Sequence, residues 1–438
     1  MTAKTWFHEW LDAEGLHDLP SVTTTLDSRA AFGRLVEAAE RYQAQPQRPT
    51  VTSNRGVVAG RSLDLTSFLT CGHPNCRSRQ VDELFSHVWH YFDEIAVVGP
   101  DAHYFLDAVK SRDSQKEIEH FVLGNAQVLF HARAVGVEEL LLFTPKPPAC
   151  LRHFRELASE PTLHLSEEAT GRLLRLLEEG GSIERTTDVR GVIFKHRMLK
   201  NGGAFVSDDE IPKPKTKGES ILQRVAREVL RSHWLAAASD VFESRTLGLP
   251  LGAGIEFEMR VVLELSGGVS PSDVAFHLEL PALRGISIKD LLALRQSERE
   301  SFDAFRNALR RAAKERIANA DVTDPAKIAQ EIQQDVIEPS LNVISRKLVA
   351  AEAILKRKQV LNLGLMGLAT ACGALGQIPL ASALFVGATA AAAAAHVKAS
   401  EERQEIALDD MYFLWRAHEV HQSRSGLVLQ SGLPNKQG

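Results

Sequence analysis

The sequence predicts an α+β fold that is predominantly α-helical. Apolar residues recur at helical spacing through most of the chain, and short apolar runs at residues 95–98 and 140–143 interrupt them. With 438 residues, 44% hydrophobic and 24% charged, the chain is long enough for two or three domains with their own cores. A charged, proline-punctuated run separates a predicted N-terminal domain, residues 1–212, from a predicted C-terminal domain, residues 218–438.

The N-terminal domain is predicted to contain a small α/β unit. Trp6 and Trp10 are spaced for one face of a first helix, and Asp27 is a suitable N-cap for the next. Ser166 is a suitable N-cap for a later helix of this domain. Amphipathic patterns over residues 81–92 and 118–135 predict further helices that alternate with the two short strands. The order helix, strand, helix, strand is typical of an α/β arrangement.

The C-terminal domain is predicted to combine a β-hairpin with a helical bundle. A helix is predicted over residues 220–242, and Asp324 is a suitable N-cap for a later helix that begins at Pro325. Apolar residues alternate with polar ones over 255–265 and again over 274–280, and a glycine- and serine-rich turn lies between them. This pattern favours an antiparallel hairpin. Its polar face would carry several glutamates that need no function, although paired carboxylates can serve as acid and base: Glu256, Glu258, Glu264 and Glu279.

A second hairpin, this one helical, is predicted at residues 359–395. These 37 residues carry no charge and are rich in glycine and alanine, and Gly376 and Pro379 supply turn chemistry near the middle. Such a segment must be buried. Two arms of about 16 residues would each be roughly 24 Å long, short of the roughly 30 Å hydrocarbon core of a bilayer.

Two interpretations of this hydrophobic hairpin stay open. It can pack in the core of the C-terminal bundle, where small residues let helices approach closely. Alternatively it can engage a membrane, because charged residues flank it on both sides, with a basic excess before it at residues 346–358. An alanine- and glycine-rich hairpin that is released into a bilayer resembles, in composition only, the design of pore-forming bacteriocins.

A cysteine–histidine cluster predicts a possible zinc site. Cys71, His73 and Cys76 lie within six residues around a Gly and a Pro-Asn turn, and Cys150 and His153 could complete a tetrahedral site from a distance. His87 and His90 are alternative ligands, because they share one face of the following helix with Glu83. The competing interpretation is unpaired thiols, turn residues and partly buried core histidines.

The net charge and the lack of known catalytic motifs argue against two other classes of protein, nucleic-acid-binding proteins and enzymes. The net charge of −5 gives no general attraction to nucleic acid, so only the basic stretch at 306–316 offers a nucleic-acid surface, and a solvated helix face is its default interpretation. The sequence has no P-loop, Rossmann glycine pattern or nucleophile elbow, which argues against an enzyme without excluding one. Four scattered cysteines and the lack of a secretory signal predict a cytoplasmic protein.

The C-terminal part resembles a segment of uncharacterised bacterial proteins. The resemblance rests on residues 280–295, on the Phe302-x-x-Phe305-Arg306 pattern, and on the hydrophobic hairpin followed by Phe413–Arg416. It implies a shared fold and no established activity. Proteins of this kind resemble cargo of bacterial defence or stress systems.

These observations predict an intracellular effector or interaction protein, without enzymatic activity, whose C-terminal hairpin can engage a membrane. Its partner would be an unknown protein or a second copy of the chain. A metal-dependent enzyme or zinc-stabilised domain built on residues 71–90 is the alternative. Nucleic-acid binding through residues 306–316 is a further one.

Overall fold

The computed structural model describes most of the first 344 residues and a short C-terminal segment: 4–45, 49–53, 55–60, 63–66, 73–111, 115–145, 159–187, 189–266, 268–278, 280, 286–319, 324–344, 410–414 and 416–417. The hydrophobic hairpin at 359–395 lies outside these residues. The chain divides into two compact units, Met1–Phe276 and His277–Gly438. The predicted boundary between residues 212 and 218 lies within the first unit.

Helices and a few short strands make up the described residues, which confirms the predicted α+β, predominantly helical class. The helices of the first unit are α1 (Trp6–Ala13), α2 (Leu19–Leu26), α3 (Arg29–Ala44), α4 (Pro74–Val88), α5 (Ala102–Ser111), α6 (Gln115–Val135), α7 (Glu167–Gly180), α8 (Ile221–Leu247), α9 (Glu256–Ser266) and α10 (Pro271–His277), whose last residue begins the second unit. Its strands are β1 (Gly56–Ala59), β2 (Glu94–Val98), β3 (Leu141–Thr144), β4 (Ser182–Arg185), β5 (Gly191–Lys195), β6 (Gly203–Ser207) and β7 (Leu251–Gly252).

Two sheets organise the first unit. One has the order β3-β2-β1-β7 with every pair parallel, and the other has the order β4-β5-β6 with both pairs antiparallel. Strands β2 and β3 are the two predicted apolar runs, so the predicted α/β unit is confirmed. Strand β7 extends the parallel sheet beyond β1, where the amide of Gly60 donates to the carbonyl of Gly252 at 2.7 Å.

An apolar core cluster lies against one face of the parallel sheet. Val58, Ala96 and Leu142 are in register on neighbouring strands and point into the same apolar cluster. That cluster also contains side chains from α7, α8, α9 and the antiparallel sheet, among them Leu177, Val229, Phe257 and Phe194. On the other side of the sheet, the ring of His8 in α1 lies 5.0 Å from that of Phe143.

The predicted β-hairpin over 255–280 is wrong, because Glu256–Ser266 and Pro271–His277 form helices α9 and α10. The buried residues Phe257, Val261 and Leu265 are four apart, a spacing that suits one face of a strand and one face of a helix equally. Val262 decides between them, because it is buried whereas Leu263 is only half-buried, which is the phase of a helix.

Helix α10 also has a start signal that resembles a turn. Ser270 accepts from the amide of Asp273 at 3.3 Å, and the Asp273 carboxylate accepts from the amide of Ser270 at 2.7 Å. This reciprocal pair is a capping box, and Pro271 occupies the first helical position.

The helix caps read from the sequence are confirmed, with one exception. The side chains of Ser166 and Asp324 cap α7 and the helix that begins at Pro325. Ser28, not Asp27, caps α3, and Asp27 ends the preceding helix.

The second unit is helical where the structure describes it. It contains α11 (Ile288–Ser297), α12 (Arg299–Asn319) and α13 (Pro325–Ile332), and the helical path continues through a π-helical turn to residue 344. Phe413 packs on α12, with ring centroids 4.7 Å from Phe302 and 6.0 Å from Phe305.

Candidate functional site

Only part of the predicted zinc cluster lies among the described residues. His73 is the N-cap of α4, where its Nδ1 accepts from the amide of Asn75 at 3.3 Å, and Cys76 lies in the first turn of the same helix. Cys71, Cys150 and His153 lie outside the described residues. Across the part of the chain that the structure describes, no three His, Cys, Asp or Glu side chains group as metal ligands.

The alternative ligands on α4 make core contacts instead. The ring of His87 packs edge-on against Phe276, 4.6 Å between centroids. His90 is buried, and its Nε2 lies 2.8 Å from the carbonyl oxygen of Ala275. Glu83 is exposed and pairs with Arg79 at 3.3 Å. The structure therefore directs these three side chains to different surroundings rather than to one centre.

The basic stretch at 306–316 lies on α12, and carboxylates neutralise much of it. Arg306 is buried and bonded to Asp303, with its guanidinium over the ring of Phe302. Arg311 pairs with Asp410 at 2.8 Å, and Arg316 pairs with Asp335 at 2.7 Å. The exposed cations Arg310 and Lys314 are what remain for a phosphate backbone.

The predicted acidic sheet face does not form, because three of its four glutamates lie on helix α9: Glu256, Glu258 and Glu264. Glu256 pairs with Arg260 on the next turn at 3.0 Å, and Glu264 binds Arg172 at 2.9 Å. Glu258 is buried, 3.5 Å from His233. Glu279 lies outside the described residues.

A concave site with convergent charge lies between α7, α8 and the loop that precedes α8. It is a cleft of about 470 Å³, within the range of small-molecule sites. Its lining combines apolar, aromatic and basic side chains: His164, Leu165, Thr170, Pro212, Lys215, Arg227, Glu228, Leu230, Arg231 and Trp234. We call it the Trp234 cleft.

Helix α8 supplies one wall of the Trp234 cleft. Arg227, Arg231 and Trp234 are spaced i, i+4 and i+7, which places them on one helix face. The Ser220 cap fixes the start of α8, and the opposite face of this helix is buried in the apolar cluster against the parallel sheet. The indole nitrogen of Trp234 donates to the carbonyl of Leu163 at 2.8 Å, so the ring is held against the segment that leads into α7.

The loop before α8 forms the rim and is tied to that helix. Arg224 donates to the carbonyl of Pro212 at 2.7 Å, and Arg227 donates to that of Lys213 at 3.2 Å. The carboxylate of Glu219 accepts from the amide of Lys215 at 2.6 Å. These bonds bring a lysine-rich, proline-restricted segment to the mouth of the cleft.

The cations of the Trp234 cleft are only partly neutralised. Arg231 binds the buried carboxylate of Glu228 through Nε and Nη2, and this hydrogen bonding raises the pKa of Arg231 above its ordinary value. Arg227 pairs with Glu219 at 3.1 Å. Within the part of the chain that the structure describes, neither Nη1 of Arg231 nor the Lys215 ammonium has a protein partner. The cleft therefore presents positive charge beside an apolar floor.

This site was not found from the sequence. The lysine-rich run at 208–218 was interpreted as a domain boundary, and the helix over 220–242 was predicted without assigning a role to Trp234. Two signals were available: the three lysines at alternate positions 213, 215 and 217 of the run, and the helical spacing of Arg227, Arg231 and Trp234. The opposite wall, His164 and Leu165, depends on the packing of α7 against α8.

No protein-family model, curated protein or solved structure matches the chain.

Proposed function

We propose that this chain is a non-enzymatic effector or interaction protein whose first unit binds an anionic ligand in the Trp234 cleft. One observation carries the proposal. Lys215, Arg227 and Arg231 converge on a concave surface floored by Leu230 and Trp234. Guanidinium groups bind phosphate and carboxylate through paired hydrogen bonds, and an apolar floor strengthens such contacts by excluding water.

The lining favours binding over catalysis. Glu228 is its one acidic side chain, and both its oxygens accept from Arg231. Because both oxygens are engaged by the guanidinium, neither is directed at a ligand as a general base would need to be.

Anion binding can be tested with pyrophosphate as the probe. We expect isothermal titration calorimetry to show binding that weakens as salt is raised, because the contacts are ionic. The double variant Lys215→Gln/Arg231→Gln should lose about tenfold or more in affinity, since charge-assisted hydrogen bonds are the strong ones. Lys116→Gln, which removes an exposed cation of α6 outside the cleft, is the matched control.

Two results would contradict anion binding in the Trp234 cleft. The first is a lack of pyrophosphate binding by folded wild-type protein at low salt. The second is an unchanged affinity in the double variant, which would put the anion elsewhere.

Membrane engagement by the hydrophobic hairpin is a second candidate function of a cytoplasmic protein. Its support is the 37-residue uncharged run at 359–395. Moreover, residues on both sides of the run belong to one helical core: Arg316 of α12 pairs with Asp335 on the near side, and Arg311 of α12 pairs with Asp410 on the far side. Among the described helices, none combines the length and apolarity that crossing a bilayer demands.

Flotation with anionic liposomes tests the membrane candidate. We expect wild-type protein to float with the vesicles, and a Gly387→Asp variant to stay at the bottom of the gradient because the new charge opposes burial in lipid. Wild-type protein that never floats and leaves vesicles intact would contradict it. The similarity to bacterial defence or stress cargo stays a prediction beside both candidates.

A further inference from the structure

The lining of the Trp234 cleft specifies more than an anion. We infer that its ligand is a phosphorylated planar heterocycle of nucleoside monophosphate size, with the ring against Trp234 and the phosphate at Lys215 and Arg231. This inference rests on the proposed anion-binding function and deepens it by naming the ligand class.

The ring is assigned to Trp234 because of what that side chain still offers. Its indole N–H is already donated to Leu163, so its remaining contribution to the cleft is ring carbon surface. Leu165 and Leu230 extend the same apolar floor. A flat aromatic surface flanked by aliphatic side chains accepts a planar ring by stacking, irrespective of the ring's hydrogen-bonding edge.

The phosphate is assigned to Arg227 and Arg231, which precede Trp234 on α8, and to Lys215 at the rim. At 1.5 Å per residue, Arg231 and Arg227 are displaced from Trp234 by roughly 4.5 and 10 Å along the helix axis. Arg231 is 58% exposed at its side chain, and its Nη1 edge has no protein acceptor in the described part of the chain. Lys215 adds a mobile point charge at the mouth.

The cleft also contains a polar side chain from its second helix. Thr170 of α7 lines the cleft, and its hydroxyl has no hydrogen-bond partner among the described residues. Such a hydroxyl can donate to and accept from the hydroxyls of a sugar that links the ring to the phosphate. The cleft volume of about 470 Å³ suits a small molecule better than an acidic peptide, which needs a longer groove.

The test compares three ligands that divide a nucleotide into its parts: AMP, ribose 5-phosphate and adenosine. We expect AMP to bind about tenfold or more tightly than ribose 5-phosphate, because stacking adds that much per base, and also more tightly than adenosine. AMP should quench tryptophan fluorescence in wild-type protein. That quenching should be lost in Trp234→Phe, which keeps a ring for stacking and should bind AMP within about threefold of wild type.

Trp234→Leu separates the ring contact from the charge contact. It should lose the tenfold preference for AMP while its affinity for ribose 5-phosphate stays unchanged, and circular dichroism checks that it folds. Trp234→Phe keeps the test decisive should the leucine variant unfold, because its loss of quenching reports the same contact. Lys116→Gln again serves as the control and should match wild type with all three ligands.

The outcomes distinguish failure of this inference from failure of the proposed anion binding. Equal affinity for AMP and ribose 5-phosphate would overturn the stacking assignment and leave anion binding intact. Equal affinity for AMP and adenosine would overturn the phosphate assignment. A glutamate-rich decapeptide that binds more tightly than AMP would overturn the ligand class, and failure of AMP, ribose 5-phosphate and pyrophosphate alike would overturn both proposals.

Discussion

The Nε2 atom of His90 lies 2.8 Å from the carbonyl oxygen of Ala275, a residue 185 positions further along the chain. A carbonyl oxygen only accepts, so Nε2 of His90 carries a proton. Both residues are buried, and the bond ties the end of α4 to α10. His90 is therefore a structural residue, and its Nε2 is engaged.

Replacing His90 with alanine should destabilise the first unit by about 2–3 kcal/mol. The substitution leaves a cavity and a buried carbonyl without its donor. Urea unfolding followed by circular dichroism measures the loss. Glu83→Ala is the control on the same helix, because its exposed ion pair should contribute less than about 0.5 kcal/mol. Equal effects of the two substitutions would contradict the role of His90.

The zinc hypothesis makes a prediction that distinguishes its two ligand sets. If the knuckle of Cys71, His73 and Cys76 binds zinc, Cys76→Ser should remove the metal. His90→Gln should retain it, because that nitrogen already donates to Ala275. Metal analysis of purified variants by mass spectrometry decides this. Wild-type protein that purifies without metal would end the hypothesis, and loss of metal from His90→Gln would restore the alternative ligand set.

His8 should make the folded state less stable in acid. Burial lowers the pKa of His8 from 6.5 to about 4, and the nearby Arg133 acts in the same direction, whereas Asp12 opposes it. Its Nδ1 accepts from the amide of Thr5 at 3.3 Å, a hydrogen bond that protonation of this nitrogen would break. Neutral His8 is thus the form that the fold stabilises.

The lowered pKa of His8 determines how folding stability changes with pH. Above pH 6.5, His8 is neutral in both the folded and the unfolded state, and its contribution is fully present. Between pH 6.5 and about 4 only the unfolded state takes up the proton, so stability falls by at most about 3 kcal/mol, and the loss levels off below pH 4. Urea unfolding across this range should show a steeper loss for wild type than for His8→Gln. Parallel curves for the two proteins would contradict the assignment.

Two glycine-to-alanine substitutions should have opposite signs. A Cβ at Gly60 would lie 2.9 Å from the backbone oxygen of Gly252 and 3.2 Å from the carboxylate of Asp240, so Gly60→Ala should cost about 1–3 kcal/mol. A Cβ at Gly33, within α3, meets nothing within 4 Å, so Gly33→Ala should stabilise by about 0.5–1 kcal/mol. Thermal unfolding compares them. A neutral Gly60→Ala would mean that β1 and β7 can separate at little cost.

Local patterns predicted those elements whose cause is local. The Ser166 and Asp324 caps, the helix over 220–242 and strands β2 and β3 all follow from residues near in sequence. Strands β1 and β7 were missed because they are four and two residues long and form only through pairing with distant strands. Helix α9 was misassigned because a four-residue apolar spacing fits both periods.

The candidate site follows the same rule. Arg227, Arg231 and Trp234 lie at helical spacing within one predicted helix. One wall of the cleft could therefore be predicted from the sequence. The cleft itself needs the contact of Trp234 with Leu163, 71 residues away, which no periodicity reports. Likewise, the separation of His87 from His90 depends on where Phe276 and Ala275 pack.

The short strand β7 has a consequence for synthesis of the chain. When the first 212 residues have been synthesised, β1, β2 and β3 are present. The outer edge of β1 stays unpaired until Leu251 and Gly252 of β7 are added. Until then the amide of Val58 lacks the carbonyl of Pro250 that it bonds in the finished protein. An open strand edge on a nascent chain can pair with another chain. Translation through residue 252 is thus the step that completes the sheet, and expression of residues 1–212 alone should give a product prone to aggregation.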